Sequence, residues 1–101
     1  MSDPGIKAIA LCANAWRTPE DFYRALLPGL GAPDWHGHNL DALHDSLSGG
    51  RINRLAPPFH VRVAGTEALS DEMRAFLAKV RRVFDDCRPE VEASISFEPP
   101  L

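Results

Sequence analysis

Cysteine is scarce in this chain, and what little there is forms no motif. Cys12 and Cys87 are the two cysteines, and they make no Cys-x-x-Cys pair, which excludes a zinc ribbon or a dithiol redox centre built on that spacing. Each stands among apolar neighbours, so both read as buried thiols of a reduced, cytoplasmic protein. Long hydrophobic runs are missing too. Nothing approaches the ~20 apolar residues of a membrane-spanning helix, and the opening MSDPGIK has no basic stretch leading into an apolar one, so a secretory leader is not expected. Positive charge is in deficit, with 11 Lys and Arg against 14 Asp and Glu and a net charge of −3. That balance argues against nucleic acid or an anionic membrane as partner. The chain also lacks a phosphate-binding glycine motif and a legible nucleophile–base pair, so no enzymatic activity and no cofactor are expected.

What is present is an ordinary globular composition, 45% apolar and 25% charged over 101 residues, the size of one domain. IKAIALCA (6–13) is a short, nearly continuous apolar run that reads as a buried strand. Thr18 as N-cap, Pro19 at the first helical position and Asp21 three residues beyond the cap open a helix. Phe22, Ala25 and Leu26 form its apolar face, and Pro28–Gly29 is expected to end it. A second helix starts at the N-cap Asn39 and turns Leu40, Leu43 and Leu47 inward. The stretch 48–58 is a loop punctuated by Gly49, Gly50, Pro57 and Pro58. FHVRVAG (59–65) alternates as a strand. Ser70 caps the longest helix, which runs along Met73, Phe76, Leu77, Val80, Val83, Phe84 and Cys87 until Pro89 stops it. VEASISFE (91–98) is the last strand. The order β-α-α-β-α-β implies an α/β fold, a small three-stranded, mostly parallel sheet covered by helices, as a single domain over 1–101.

One stretch carries a feature that folding alone does not favour. DWHGHNLDALHDSL begins at Asp34 and places Asp41 and Asp45 one helical turn apart, where like charges weaken a helix by roughly 0.2–0.5 kcal/mol. At about 100° per residue, Asp41, His44, Asp45 and Ser48 share a sector of about 100°, while Leu40, Leu43 and Leu47 share another. Asp41 lies in the first turn and gains from the helix dipole; Asp45 gains little. The paired carboxylates are either a solvated face or a binding face. Trp35 is a core or lid aromatic or else a partner contact, whereas Trp16, just before the first helix, reads as packing. His36, His38, His44, Asp41 and Asp45 also include metal-ligating side chains, but the spacing matches no established ligand set. His60 reads as a surface residue on its strand. Lys79, Arg81, Arg82 and Arg88 interleave with Asp85, Asp86 and Glu90, which marks a solvated face.

The run WHGHNLDALHDSLSG resembles the signature segment of the barstar family, small intracellular inhibitors of barnase-type ribonucleases. That segment reads aromatic pair, Gly, a polar residue, N-L-D-A-L-W-D, a variable residue, Leu, Thr or Ser, Gly. Gly37, Asn39, Leu40, Asp41, Ala42, Leu43, Asp45, Leu47 and Gly49 match it. Beyond 34–50 the likeness rests on size and element order. The resemblance implies a barstar-like fold and a contact surface of Trp35, His36, Gly37, His38, Asn39, Asp41, Ala42, His44, Asp45, Ser48 and Gly49. It further implies that this surface plugs the active site of a basic secreted ribonuclease, with Asp45 the main contact and a protein that is monomeric when free. No metal is implied. The chain departs from the pattern at His44, where the family has tryptophan, at His36, the second loop aromatic, and at His38, commonly acidic. Arg51 and Arg54 just past the helix add charge that opposes a basic partner, and Asp85 and Asp86 are candidates for an acidic contact from the last helix. Two other readings stand beside the inhibitor: a metal-binding domain or metal-dependent hydrolase built on Trp35–Asp45, and a barstar-fold interaction module with a non-nuclease target.

Overall fold

A computed structural model describes residues 6–48, 53–88 and 91–101. The element order is β1 (Lys7–Cys12), α1 (Pro19–Leu30), α2 (Leu40–Ser48), β2 (Phe59–Ala64), α3 (Asp71–Cys87) and β3 (Ala93–Glu98), with one 3-10 turn at Thr66–Ala68 between β2 and α3. Gly49, Gly50, Arg51 and Pro89 lie outside the described residues.

The three strands form one sheet in the order β1-β2-β3, parallel throughout. Their register puts Ile9, Val61 and Ile95 in one row and Leu11, Val63 and Phe97 in the next. Those rows face the helices, where Val61, Val63, Leu26, Leu30, Leu43, Leu77 and Val80 have no exposed surface. Trp16, Phe22, Tyr23 and Phe76 pack edge to face over one end of this core, with Trp16–Phe22 centroids 5.7 Å apart and Phe22–Phe76 centroids 5.6 Å apart. Trp16 is therefore packing, as its position suggests.

The opposite face of the sheet carries no helix. Ala8, Ala10, Cys12, Arg62 and Glu98 are exposed there, so the helices cover one side rather than two. The expectation of a strand buried on both faces therefore fails for β1, which is an edge strand. Alanines on its outer face leave too little apolar surface to demand a cover. The reading of Cys12 as buried fails for the same reason, while Cys87 is buried. The bare face is tied together by polar side chains instead. His60 sits half-buried between the hydroxyls of Ser94 and Ser96, at 2.6 and 2.8 Å. Arg62 grips Glu98 with two donors, each at 2.9 Å, a bidentate pair that also holds the Glu98 carboxyl below its ordinary value.

The caps form as the residue types require. The Asp21 carboxylate accepts from the backbone N–H groups of Arg17 (2.8 Å) and Thr18 (3.2 Å), the Asn39 side chain accepts from Ala42 (2.7 Å), and the Ser70 hydroxyl accepts from Met73 (3.2 Å). One boundary differs from expectation. Pro28–Gly29 does not end α1, which continues to Leu30. A proline near a C-terminus forfeits a single backbone bond, and tertiary contacts carry the last turn past it. Leu30 is fully buried, and Gly29 lies so close to Ile9 that a Cβ would meet its methyl at 3.0 Å. Gly31, at φ 65°, makes the stop. Its N–H reaches Pro28 and the Ala32 N–H reaches Leu27, the paired bonds of a left-handed C-terminal cap.

Leu43 lies at the centre of the helix layer. Leu43→Ala is expected to destabilise the chain by about 2–5 kcal/mol, measured by urea unfolding.

Candidate functional site

Asn39 begins α2, and Leu43 and Leu47, at 0% and 5% exposure, set which way the helix faces. With those two buried, Asp41, Asp45 and Ser48 are exposed and His44 is half-buried. The paired carboxylates of the sequence pattern stand side by side in solvent.

The loop before α2 is built to hold still while presenting one ring. The His36 N–H reaches back to the Pro33 carbonyl at 3.0 Å, closing a turn across Asp34 and Trp35. The His36 side chain goes down into the protein, 4% exposed, with its Nδ1–H donating to the Gly37 carbonyl at 2.7 Å. That bond places the proton on Nδ1 and leaves Nε2 as a bare acceptor, buried and without a partner among the described residues. Gly37 packs against the start of α2, where an added Cβ would come within 3.1 Å of the Ala42 methyl. The Trp35 ring is 72% exposed, beside exposed Asp34.

The contact set read from the sequence thus divides. Trp35, His38, Asn39, Asp41, Asp45 and Ser48 are exposed, and Gly37, Ala42 and His44 are partly covered. His36 is buried and anchors the loop from beneath, and Gly49 lies outside the described residues. Arg54 is drawn to the end of α1, where its N–H bonds to the Gly31 carbonyl at 3.1 Å. Asp85, Asp86, Lys79, Arg81, Arg82 and Arg88 are exposed, and the Arg81 guanidinium lies over the Phe97 ring at 5.0 Å.

Sequence reasoning missed one partner of this surface. Glu20, in the first turn of α1, accepts from His38 Nδ1 at 2.8 and 2.9 Å through its two oxygens, and from Arg24 at 3.2 Å. The His38 bond is the main reason its carboxyl titrates below the ordinary 4.5, with Arg24 helping. The His38 ring stacks on Tyr23, with centroids 5.7 Å apart and planes at 22°. No local signal connects positions 20 and 38; a helix start beside a polar loop was the one hint available.

Among the described residues, no three His, Cys, Asp or Glu side chains converge to hold a metal ion. The Nδ1 atoms of His36 and His38 are engaged by the Gly37 carbonyl and the Glu20 carboxylate. A cleft of about 680 Å³ between the end of α2 and the start of β2 is lined by residues such as Ser46, Leu47, Asn53, Leu55 and Phe59, with no aspartate or histidine among the described residues. The acidic face of Asp41 and Asp45 is exposed and lies apart from that cleft's lining. Among the described residues, no helix is long and apolar enough to cross a membrane.

A family model described as "Barstar (barnase inhibitor)" matches residues 6–97. The chain belongs to the barstar family. The match covers the whole sheet except Glu98, together with all three helices, so the barstar assignment rests on nearly the whole chain and not on the motif around α2 alone. No curated protein sequence matches the chain. The all-parallel three-stranded sheet with three helices agrees with a barstar-like α/β fold.

Tyr23 yields a prediction. Its ring is 2% exposed, its hydroxyl has no partner among the described residues, and burial pushes its ionisation up to about 12. The unfolded chain releases that proton near 10, so this contribution is complete below pH 10 and is lost as pH rises towards 12. Tyr23→Phe is expected to be as stable as the parent at pH 7, or more so by about 1 kcal/mol, and to lose less stability across the alkaline range. Urea unfolding at pH 7 and pH 11 measures both. As the sole tyrosine, Tyr23 also reports its own titration through phenolate absorbance.

Proposed function

We propose that this barstar-family chain inhibits a basic, barnase-type microbial ribonuclease by seating α2 and the loop before it in the nuclease's active site, one to one, without chemistry of its own. The observation that carries the reading is the exposure of Asp41 and Asp45 one turn apart, beside an outward Trp35. A ribonuclease holds an anionic backbone, so its cleft concentrates arginine, lysine and histidine. Carboxylates at helical spacing fit the positions that phosphates occupy there. Trp35 supplies the apolar anchor that charged pairs alone lack. The mutual repulsion of Asp41 and Asp45 is relieved when the cationic cleft arrives, so part of the folding cost returns as affinity. Action on an internal nuclease before its export places the inhibitor in the cytoplasm.

Asp45→Ala separates binding from folding. The side chain is exposed and lies past the turn where the helix dipole favours an anion, and alanine is the better helix former. The free protein is expected to keep its stability or gain slightly. Binding to a basic ribonuclease is expected to weaken by about 2–5 kcal/mol, the range for truncating one partner of a buried charge pair, for which barnase–barstar is itself a reference case. Urea unfolding and calorimetric titration measure the two effects. If the variant unfolds while its folded fraction binds normally, Asp45 is structural and the assignment fails.

Ionic strength tests the docking face independently. The association rate is expected to fall steeply with added salt, and the dissociation rate to change little. Stopped-flow mixing at low and high salt reads both; a salt-independent association rate contradicts docking through α2. A panel of basic ribonucleases that all fail to bind would favour a barstar-fold module with another target.

A further inference from the structure

We infer that Glu20 and His38 form a latch that fixes the docking loop on α1 before any partner arrives, making Glu20 a positioning residue for the binding surface. The consequence for binding rests on the inhibitory reading above; the latch itself rests on the geometry.

The other bonds that shape the loop are local. His36 to Pro33, His36 to Gly37 and Ala42 to Asn39 all lie within ten positions of chain. They stay within the loop and the first turn of α2, and the buried His36 ring seats the loop by packing, with no polar partner on its Nε2 among the described residues. The Glu20–His38 contact spans 18 positions and joins the loop to α1 through a forked bond, at 2.8 and 2.9 Å to the two carboxylate oxygens. The platform under His38 is rigid as well. Tyr23 is 2% exposed and packs edge to face on Phe22 and Phe76, at 5.2 and 5.9 Å, so the stacked His38 ring rests on the core. Imidazole thus has two fixed neighbours, one polar and one flat.

This use of His38 differs from a charge contact with the partner. Its Nδ1–H is already donated inward, and a histidine offers a cationic cleft no attraction. What it supplies is order. A loop held in its binding conformation spares the complex the entropy of arranging it, and apparent affinity scales with the fraction of molecules already competent. Arg24, also bonded to Glu20, holds the carboxylate from the other side and keeps it oriented. His38→Asn is informative because the asparagine amide places a donor near the position of Nδ1 while removing the stacked ring.

The test compares His38→Ala, Glu20→Ala, the double variant, His38→Asn and Glu20→Gln, which keeps an acceptor oxygen. Amide hydrogen exchange over residues 34–39 of the free chain reads the latch, and titration against a basic ribonuclease at low and high salt reads its consequence. His38→Ala and Glu20→Ala are each expected to speed exchange of the loop several-fold and to weaken binding about three- to tenfold, with the melting temperature unchanged. The double variant is expected to be no worse than either single one, since both remove the same contact. Glu20→Gln and His38→Asn should restore part of the protection, and the salt dependence of His38→Ala should match the parent. Unchanged loop exchange in either alanine variant overturns the latch, as do fully additive effects in the double variant. Faster exchange with a changed salt slope in His38→Ala would instead make His38 a direct contact and overturn its positioning role. If the parent chain binds no basic ribonuclease, the inhibitory reading falls together with the binding consequence, while exchange still decides the latch.

Discussion

Leu43 fixes the rotation of α2 about its own axis, and the character of the surface follows from that one constraint. Fully buried, it stands two residues from Asp41 on one side and two from Asp45 on the other. Each offset turns the chain by about 200°, so both aspartates are carried to the far side of the helix. A helix rotated by one residue would push a carboxylate towards apolar side chains, at a cost of several kcal/mol, and no charge partner waits there. The core therefore dictates the acidic face as firmly as it dictates its own packing. Repulsion between the two carboxylates is small beside the burial of Leu43 and Leu47, which is why the helix tolerates it.

The loop before α2 works on a complementary principle. It buries what would ordinarily be exposed, the His36 ring, and exposes what would ordinarily be buried, the Trp35 ring. The turn closed on Pro33 and the tight approach of Gly37 to Ala42 make this inversion possible. A His36 Nε2 without a partner among the described residues is the residual cost, the desolvation of one buried polar atom, about 1–3 kcal/mol. Local rules are broken here in three places at once: an exposed indole, a buried imidazole and paired like charges. Such clustering is what binding sites impose on otherwise consistent folds. The sheet, by contrast, breaks one rule alone, a parallel sheet with a bare face, and compensates with alanines, the His60–serine bridges and the Arg62–Glu98 fork.

Much of this was legible from residue order. Thr18 with Asp21, Asn39 and Ser70 announced three helix starts, because an N-cap is a short-range interaction between a side chain and backbone three residues on. Periods of two and 3.6 separated the strands from the helices, and the leucines of α2 identified its inner face. The paired aspartates and the motif around them pointed to the candidate surface and to the family. Less legible were features decided by residues far apart in sequence. The end of α1 was misplaced at Pro28–Gly29 because the burial of Leu30 and the contact with Ile9 outweigh a missing N–H. Cys12 was misplaced because an apolar run does not reveal that one face of its sheet carries no helix.

By itself, then, the sequence determined the elements, their caps, the inward leucines and the outward aspartates, since each depends on spacing within a few residues. Tertiary structure alone decided that β1 is an edge strand, that helices cover one face of the sheet, and that His36 is an anchor and not part of the outer surface. It alone paired Glu20 with His38 and set both on Tyr23. The reason is the same in each case: a periodic pattern tells a side chain which way to point along its own element, but only the packing of elements settles what stands opposite.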